Sequence, residues 1–378
     1  MNLEFLRPLM ERPGRWVSVY LDATRAGENA AQEVGLRWRA LRERLTGQGA
    51  DDATLEAVQA AVQEHRYREG RYGLAVLARD GEVTVAETLP APPPADEALA
   101  GPLPHVMPLL RQRHAEIPYV RVLADRTGAD LDALTAGGVP RHAEVRGSAT
   151  FPIRKVHVGG WSHLHYLHAA EESWKRNAGD VAAAAVDLAE AVEAEVIVVG
   201  GDVRAVQTFT GRLPKRWQDR VVATDAGSRH AGADESLLDD VTTQAVAELA
   251  DRHYREVLDR FRAQQADGTA GLGLTDVVTR LSRGQVDTVL LADDPSSTDM
   301  LWIAPDDPAL VSVDDHVLRE AGVGDPVKVR ADAALVRAIA GTGARLVLVA
   351  DGEVALAHGI GAVLRYADAS SAADGAAR

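Results

Sequence analysis

The sequence predicts an α/β protein of three domains, and three observations lead there. The 378 residues exceed what one core can fill, because a single hydrophobic core stops growing near roughly 250 to 300 residues. Short β-rich runs alternate with stretches of helical periodicity along the whole chain. Breaks rich in proline or glycine, at 90–94 and 268–273, punctuate that alternation.

In the first block, residues 16–22 (Trp-Val-Ser-Val-Tyr-Leu-Asp) read as a strand. A helix follows over 29–45, where Val34, Leu36, Trp38, Leu41 and Leu45 recur at roughly helical spacing among Arg37, Arg39, Arg42 and Arg44. Gly47 and Gly49 break it, and 52–63 forms a second helix. Residues 71–78 and 83–89 are two strands about Asp80-Gly81, a hairpin turn signal. The tract Pro90-Ala91-Pro92-Pro93-Pro94 is a stiff loop, and the first domain spans 1–115. The second, 116–232, opens with a strand at 119–124 that enters a hairpin at 125–130. A loop and a long helix at 164–194 precede the apolar strand 196–199, which ends in Gly200-Gly201, and this order suggests a mostly parallel layer. Residues 203–210 read as helix, 213–218 as loop and 220–224 as a short strand. The third domain, 233–368, begins with a helix to about residue 265, striped by Leu238, Val241, Ala245, Leu249, Val257 and Phe261. Helix 274–283, strand 288–292, helix 331–341 and strands 344–349 and 362–366 then build an αβα sandwich. The tail, 369–378, has the composition of disorder.

Bulk composition excludes several classes. A hydrophobic share of 46% and a charged share of 26% are those of a globular protein, and no apolar run is long enough for a membrane helix. The absence of cysteine excludes disulfides and thiolate metal sites. The first residues carry no leader pattern, so a cytoplasmic address is expected. A net charge of -15 argues against a general nucleic-acid coating protein, yet it is compatible with a basic tip on an otherwise repelling body.

One stretch opposes that global charge. Four of the 12 histidines, His157, His163, His165 and His168, lie between Arg154-Lys155 and Lys175-Arg176. At its centre, Gly159-Gly160-Trp161-Ser162 stands before the long helix, with Ser162 as its expected cap. Freely rotating glycines, a flat indole and flanking cations suit stacking on unpaired RNA bases and bonding of phosphates. A histidine metal site and a set of ordinary core aromatics (Trp161, Tyr166, Trp174) are the alternatives at this point. The basic run 212–217 (Arg-Leu-Pro-Lys-Arg-Trp) is open between RNA contact and a loop flank. Gly200-Gly201 lacks the spacing of a dinucleotide fingerprint and has no P-loop lysine after it, so a strand-terminating turn explains it better than phosphate binding.

The order of these features carries a resemblance. Residues 156–166, Val-His-Val-Gly-Gly-Trp-Ser-His-Leu-His-Tyr, resemble the Gly-Gly-Gln loop and following helix of the archaeal and eukaryotic release factors and of Pelota, down to the apolar strand ending in Gly200-Gly201. Residues 268–291 resemble the start of that family's third domain, and 357–366 its closing strand. Residues 18–22 and 28–39 are similar to the first domain of actinobacterial members. The resemblance implies a mixed α/β N-terminal domain, an RNase H-like middle layer and an L7Ae-like C-terminal sandwich. It also implies a monomer at the A site of the 70S ribosome, touching 16S and 23S rRNA, without membrane, metal or cofactor.

The departure from the family matters more. Where the hydrolytic members carry glutamine, this chain has Trp161, whose indole offers no carbonyl acceptor and cannot orient water in the same way. No Asn-Ile-Lys-Ser stretch is present to read stop codons. The resemblance is therefore closest to Pelota-like hibernation factors of the Balon type, which are associated with elongation factor Tu, and the expectation is a non-enzymatic stress factor. The alternative is a release or rescue hydrolase in which His157 or His163 replaces the lost amide. Expected rRNA contacts are Arg154, Lys155, His157, Gly159, Gly160, Trp161 and His163, with Arg25, Arg37 and Arg39 facing the decoding centre.

Overall fold

Strand β1 (Trp16–Asp22) is buried over its first six residues, so it lies at the centre of its sheet and not at an edge. It follows a single 3-10 turn (Glu4–Leu6) and α1 (Arg7–Met10). This computed structural model describes residues 1–11, 13–24, 30–65, 70–113, 117–135, 139–146, 161–229, 234–292, 294, 299–350 and 352–366, with the backbone alone for 30–31 and 161–174. Helix α2 (Ala30–Gly47) and α3 (Asp52–Glu64) cover one sheet face through Val34, Trp38, Leu41, Leu45, Leu55 and Val58. The Asp51 carboxylate caps α3 by accepting the Thr54 N–H at 2.9 Å. Strands β2 (Gly73–Arg79) and β3 (Glu82–Leu89) form the expected hairpin, with Asp80 and Gly81 at φ 55° and 80°. Beyond the proline tract, β4 (Glu97–Gly101) pairs with β1, giving the order β3-β2-β1-β4, and α4 (Met107–Gln112) follows.

The next elements are β5 (Tyr119–Ala124), β6 (Gly128–Leu134), β7 (Pro140–Arg146), α5 (Trp161–Ala191), β8 (Val196–Gly201), α6 (Val203–Arg212), α7 (Lys215–Gln218), β9 (Val221–Ala223) and α8 (Ser236–Ala266). Their sheet runs β7-β6-β5-β8-β9. The expectation of a mostly parallel layer is corrected: β5, β8 and β9 are parallel, but β5-β6 and β6-β7 are antiparallel. The additional edge strand β7 is polar and largely exposed, which is why its sequence read as loop. Helices α5 and α6 fill one face with Val181, Ala185, Ala189, Val206 and Phe209, and Leu238, Val241 and Ala245 of α8 fill part of the other.

The C-terminal elements are β10 (Gly271–Leu272), α9 (Gly273–Ser282), β11 (Val286–Ala292), β12 (Met300–Ile303), β13 (Val311–Ser312), α10 (Asp315–Glu320), β14 (Val327–Arg330), α11 (Ala331–Thr342), β15 (Arg345–Val349) and β16 (Ile360–Leu364). The main sheet runs β10-β16-β11-β15. Ile360 and Ala362 share a core with α9 and α11, while Phe261 of α8 lies against Gly361, so strand alternation puts helices on both faces. A second sheet, β13-β12-β14, has strands too short to show periodicity in the sequence.

The chain divides into two compact units, Met1–His114 with Glu256–Arg378, and Ala115–Arg255. Within the first unit, N- and C-terminal elements share one core, in which Leu6, Met10, Trp16 and Tyr20 join Leu335, Ile339 and Leu346. The fully buried Arg337 of α11 donates to the carbonyls of Met10, Glu11, Pro305 and Asp307. Buried His105 lies on the same junction, with Nε2 3.4 Å from Glu97 and Nδ1 3.3 Å from Asp332, while Tyr20 donates its hydroxyl to the His105 carbonyl. Burial works against the imidazolium, but the Asp332 and Glu97 carboxylates outweigh it and the His105 pKa is raised above the usual 6.5. A raised folded-state pKa means that the tie stabilises fully below 6.5 and is lost as pH climbs through the raised value. The urea midpoint is therefore expected to fall on going from mildly acidic to alkaline buffer, and His105→Gln should flatten that fall. An equally steep profile in the variant would contradict the assignment.

Candidate functional site

The expected site surrounds the start of α5. Residues 147–160, which include Arg154, Lys155, His157, Gly159 and Gly160, lie outside the described residues, as do the side chains of Trp161 and His163. The backbone of those two residues is placed, and it corrects one expectation: α5 begins at Trp161, so Ser162 stands inside the first turn and is not the cap. The apolar pattern begins only at Leu164 because the opening turn is polar and aromatic.

The length of α5 is its main geometric property. At 31 residues it runs about 46 Å, whereas the six- and seven-residue strands of its sheet span about 20 Å. Its buried positions among the described side chains, Asn177, Val181, Ala182, Ala185 and Ala189, repeat at helical spacing and cover the strands. The 16 residues ahead of Asn177 add about 24 Å of helix, so α5 is a rod longer than the layer that it covers. Its first turn carries no carboxylate, so nothing within it neutralises the positive helix end that follows Gly159-Gly160.

The start of α6 in the same unit differs. Asp202 caps α6 by accepting the N–H groups of Arg204 and Ala205 and also pairs with Arg126 at 3.2 Å, so an internal carboxylate already fills that end. Gly201 has φ 122°, and a Cβ there would press into the Ala124 carbonyl, just as one on Gly200 would meet the Ala226 carbonyl. The Gly-Gly pair thus permits close backbone approach at the end of β8, the strand-terminating turn expected of it. Gly201→Ala is expected to lower the stability of this unit by about 3 kcal/mol, read by chemical denaturation, whereas an unchanged midpoint would refute the steric account.

The first-unit arginines separate on inspection. Arg37 donates to the Asp22 carbonyl at 2.8 Å and pairs with the carboxylates of Asp22 and Asp96, which ties α2 to its own sheet. Arg39 is exposed and lines a surface groove between α2 and α3 with Arg42 and Gln59, and Arg25 lies outside the described residues. Among the described residues, one trio with metal-ligating groups comes together, Asp314, Asp315 and His316, but Asp314 is the cap of α10 and accepts the His316 N–H. Of the four histidines weighed as a metal site, His157 lies outside the described residues and His163, His165 and His168 have no described side chains.

A charged patch that sequence reasoning missed lies on the β5-β6-β7 half of the sheet. Asp132 accepts from Arg121 at 2.9 Å and meets His142 Nδ1 at 2.7 Å, and Arg121 also pairs with Glu235 and Asp239. Hydrogen bonding to Asp132 raises the His142 pKa. Arg121, Asp132, His142, Glu235 and Asp239 are partnered among themselves, so the patch reads as lacing of a solvated face. No helix among the described residues is long and apolar enough to cross a membrane.

Residues 118–267 match the model of bacterial archaeo-eukaryotic release factor family 2. Over 375 residues the chain is 32% identical to an uncharacterized protein found in two strains of Mycobacterium tuberculosis, covering 97% of each chain. Among solved structures it is similar to archaeal translation termination factor aRF1 (15% identity, 96% of both chains, TM-score 0.26). It is also similar to archaeal Pelota in a model of ribosome-bound Pelota and ABCE1 (13% identity, 97% and 93% of the chains, TM-score 0.37).

Proposed function

Because the chain belongs to bacterial archaeo-eukaryotic release factor family 2, we propose that it occupies the ribosomal A site as a translation factor that does not hydrolyse peptidyl-tRNA, acting as a hibernation or stress factor. The feature that carries this reading is the sequence Gly159-Gly160-Trp161 leading into the 31-residue α5, where the resembled hydrolytic factors carry Gly-Gly-Gln. A long helix anchored by its second half suits delivery of a tip into a deep RNA cavity. The basic approach Arg154-Lys155 and a helix end whose first turn carries no carboxylate suit phosphates there. An indole at the apex fills space and stacks on bases, but it supplies no carbonyl acceptor for water.

In this role the first domain faces the decoding centre in the small subunit, the tip faces the peptidyl transferase centre, and the C-terminal domain meets a translational GTPase such as elongation factor Tu. The address is cytoplasmic. The test is cosedimentation of the purified protein with 70S ribosomes at moderate salt. Stoichiometric binding that an occupied A site abolishes is expected, and its absence would remove the proposal.

A further inference from the structure

The second unit carries a basic ridge that the tip reading does not use. Helix α6 presents Arg204, Thr208 and Arg212 at i, i+4 and i+8, one face of a helix, with Arg204 and Arg212 exposed, while Ala205, Val206 and Phe209 point into the core. The chain then turns through Leu213-Pro214, and Lys215 and Arg216 are exposed at the start of α7. Buried Phe209, Leu213 and Trp217 hold this surface in place, and Arg220 lies 5.8 Å over the Trp217 ring.

Charge sets the ridge apart. Residues 203–220 contain five lysines and arginines against the single carboxylate Asp219, in a chain whose net charge is -15. Arg216 pairs with Glu190, but Arg204, Arg212 and Lys215 form no ion pair with any described residue. Gly211 adds a stretch of bare helix backbone, with open space where a Cβ would stand. Protein interfaces centre on apolar and aromatic anchors, and here the aromatics face inward while cations face out. Arg204 and Arg212, eight residues or about 12 Å apart on one helix face with Lys215 beyond them, suit contact with phosphates along a nucleic-acid backbone.

We infer that Arg204, Arg212 and Lys215 form a second RNA-backbone contact of this protein, separate from the Gly-Gly-Trp tip and reading phosphates without base specificity. The inference rests on the proposed ribosome binding, so its test has to fail separately from that reading. The full-length Arg204→Glu/Arg212→Glu/Lys215→Glu variant, with an unchanged thermal melt, is titrated against 70S ribosomes and against a naked structured RNA from about 50 to 200 mM salt. At least a tenfold loss of affinity is expected for both, with the log–log salt slope shallower by about 2 to 3, near 0.7 to 0.9 per phosphate contact. Equal affinity and slope for variant and wild type on either RNA would overturn the ridge. Should the wild type ignore ribosomes, the A-site reading falls, and the naked-RNA arm still decides the ridge. A diazirine side chain at Gln207 should crosslink to rRNA, and crosslinks confined to ribosomal protein would also overturn the inference.

Discussion

Arg337→Ala should lower the stability of the first unit by on the order of 4 kcal/mol, with a matching drop in the urea midpoint. The guanidinium is fully buried, and its Nε and two Nη atoms donate to four backbone carbonyls at 2.8 to 3.2 Å. Two of those carbonyls belong to Met10 and Glu11 at the end of α1, and two, Pro305 and Asp307, to the loop after β12. Burial lowers the Arg337 pKa to about 10, which the Asp307 and Asp306 charges oppose, so the side chain stays charged at neutral pH. Truncation leaves the carbonyls without donors and opens a cavity, and both effects act in the same direction. Arg337→Lys should recover only part of the loss, because one ammonium cannot span the four acceptors. A change below about 1 kcal/mol in the alanine variant would show that water or a shifted backbone replaces the clamp.

The second large effect concerns chemistry. Ribosomes stalled with labelled peptidyl-tRNA should keep their peptide when the wild-type protein is bound, and Trp161→Gln should raise release by up to about 100-fold. Removal of a single transition-state contact commonly costs that much, and the substitution restores an amide at the position where the hydrolytic relatives hold one. Release by the wild type that His157→Ala abolishes would support the rival reading, in which a neighbouring imidazole acts as general base.

Much of this fold was legible in the chain because its strongest signals are local. Strand β1 is β-rich at 16–22, with Trp16, Val17, Val19, Tyr20 and Leu21 all buried, and Asp80-Gly81 announces the β2-β3 hairpin through its need for positive φ. What escaped has physical reasons. Strand β7 sets His142, Glu144 and Arg146 outward and only Ala143 and Val145 against the core, two apolar positions that are too few to mark a strand. Strands β12 to β14, of two to four residues, are too short for any period to register. Arg337 interrupts an alanine-rich helix like a solvent-facing charge, and only the folded chain brings Met10 and Pro305 to it. The same long-range pairing joins the first and last segments in one unit, a join that no window of sequence contains.

The candidate site divides similarly. The glycines, the indole and the flanking cations were visible as an odd local composition, but their meaning came from their order relative to the long helix and the Gly200-Gly201 strand. The ridge on α6 was half visible as the basic run 212–217, and Arg204 joins it only once α6 is known to present positions 204, 208 and 212 on one face.

Imaging by cryo-EM of 70S ribosomes incubated with the purified protein tests the account most directly. The prediction is an occupied A site with α5 running toward the large subunit and Trp161 beside the 3′ end of the P-site tRNA position. An empty A site, or a Trp161 indole packed inside its own domain, would contradict it.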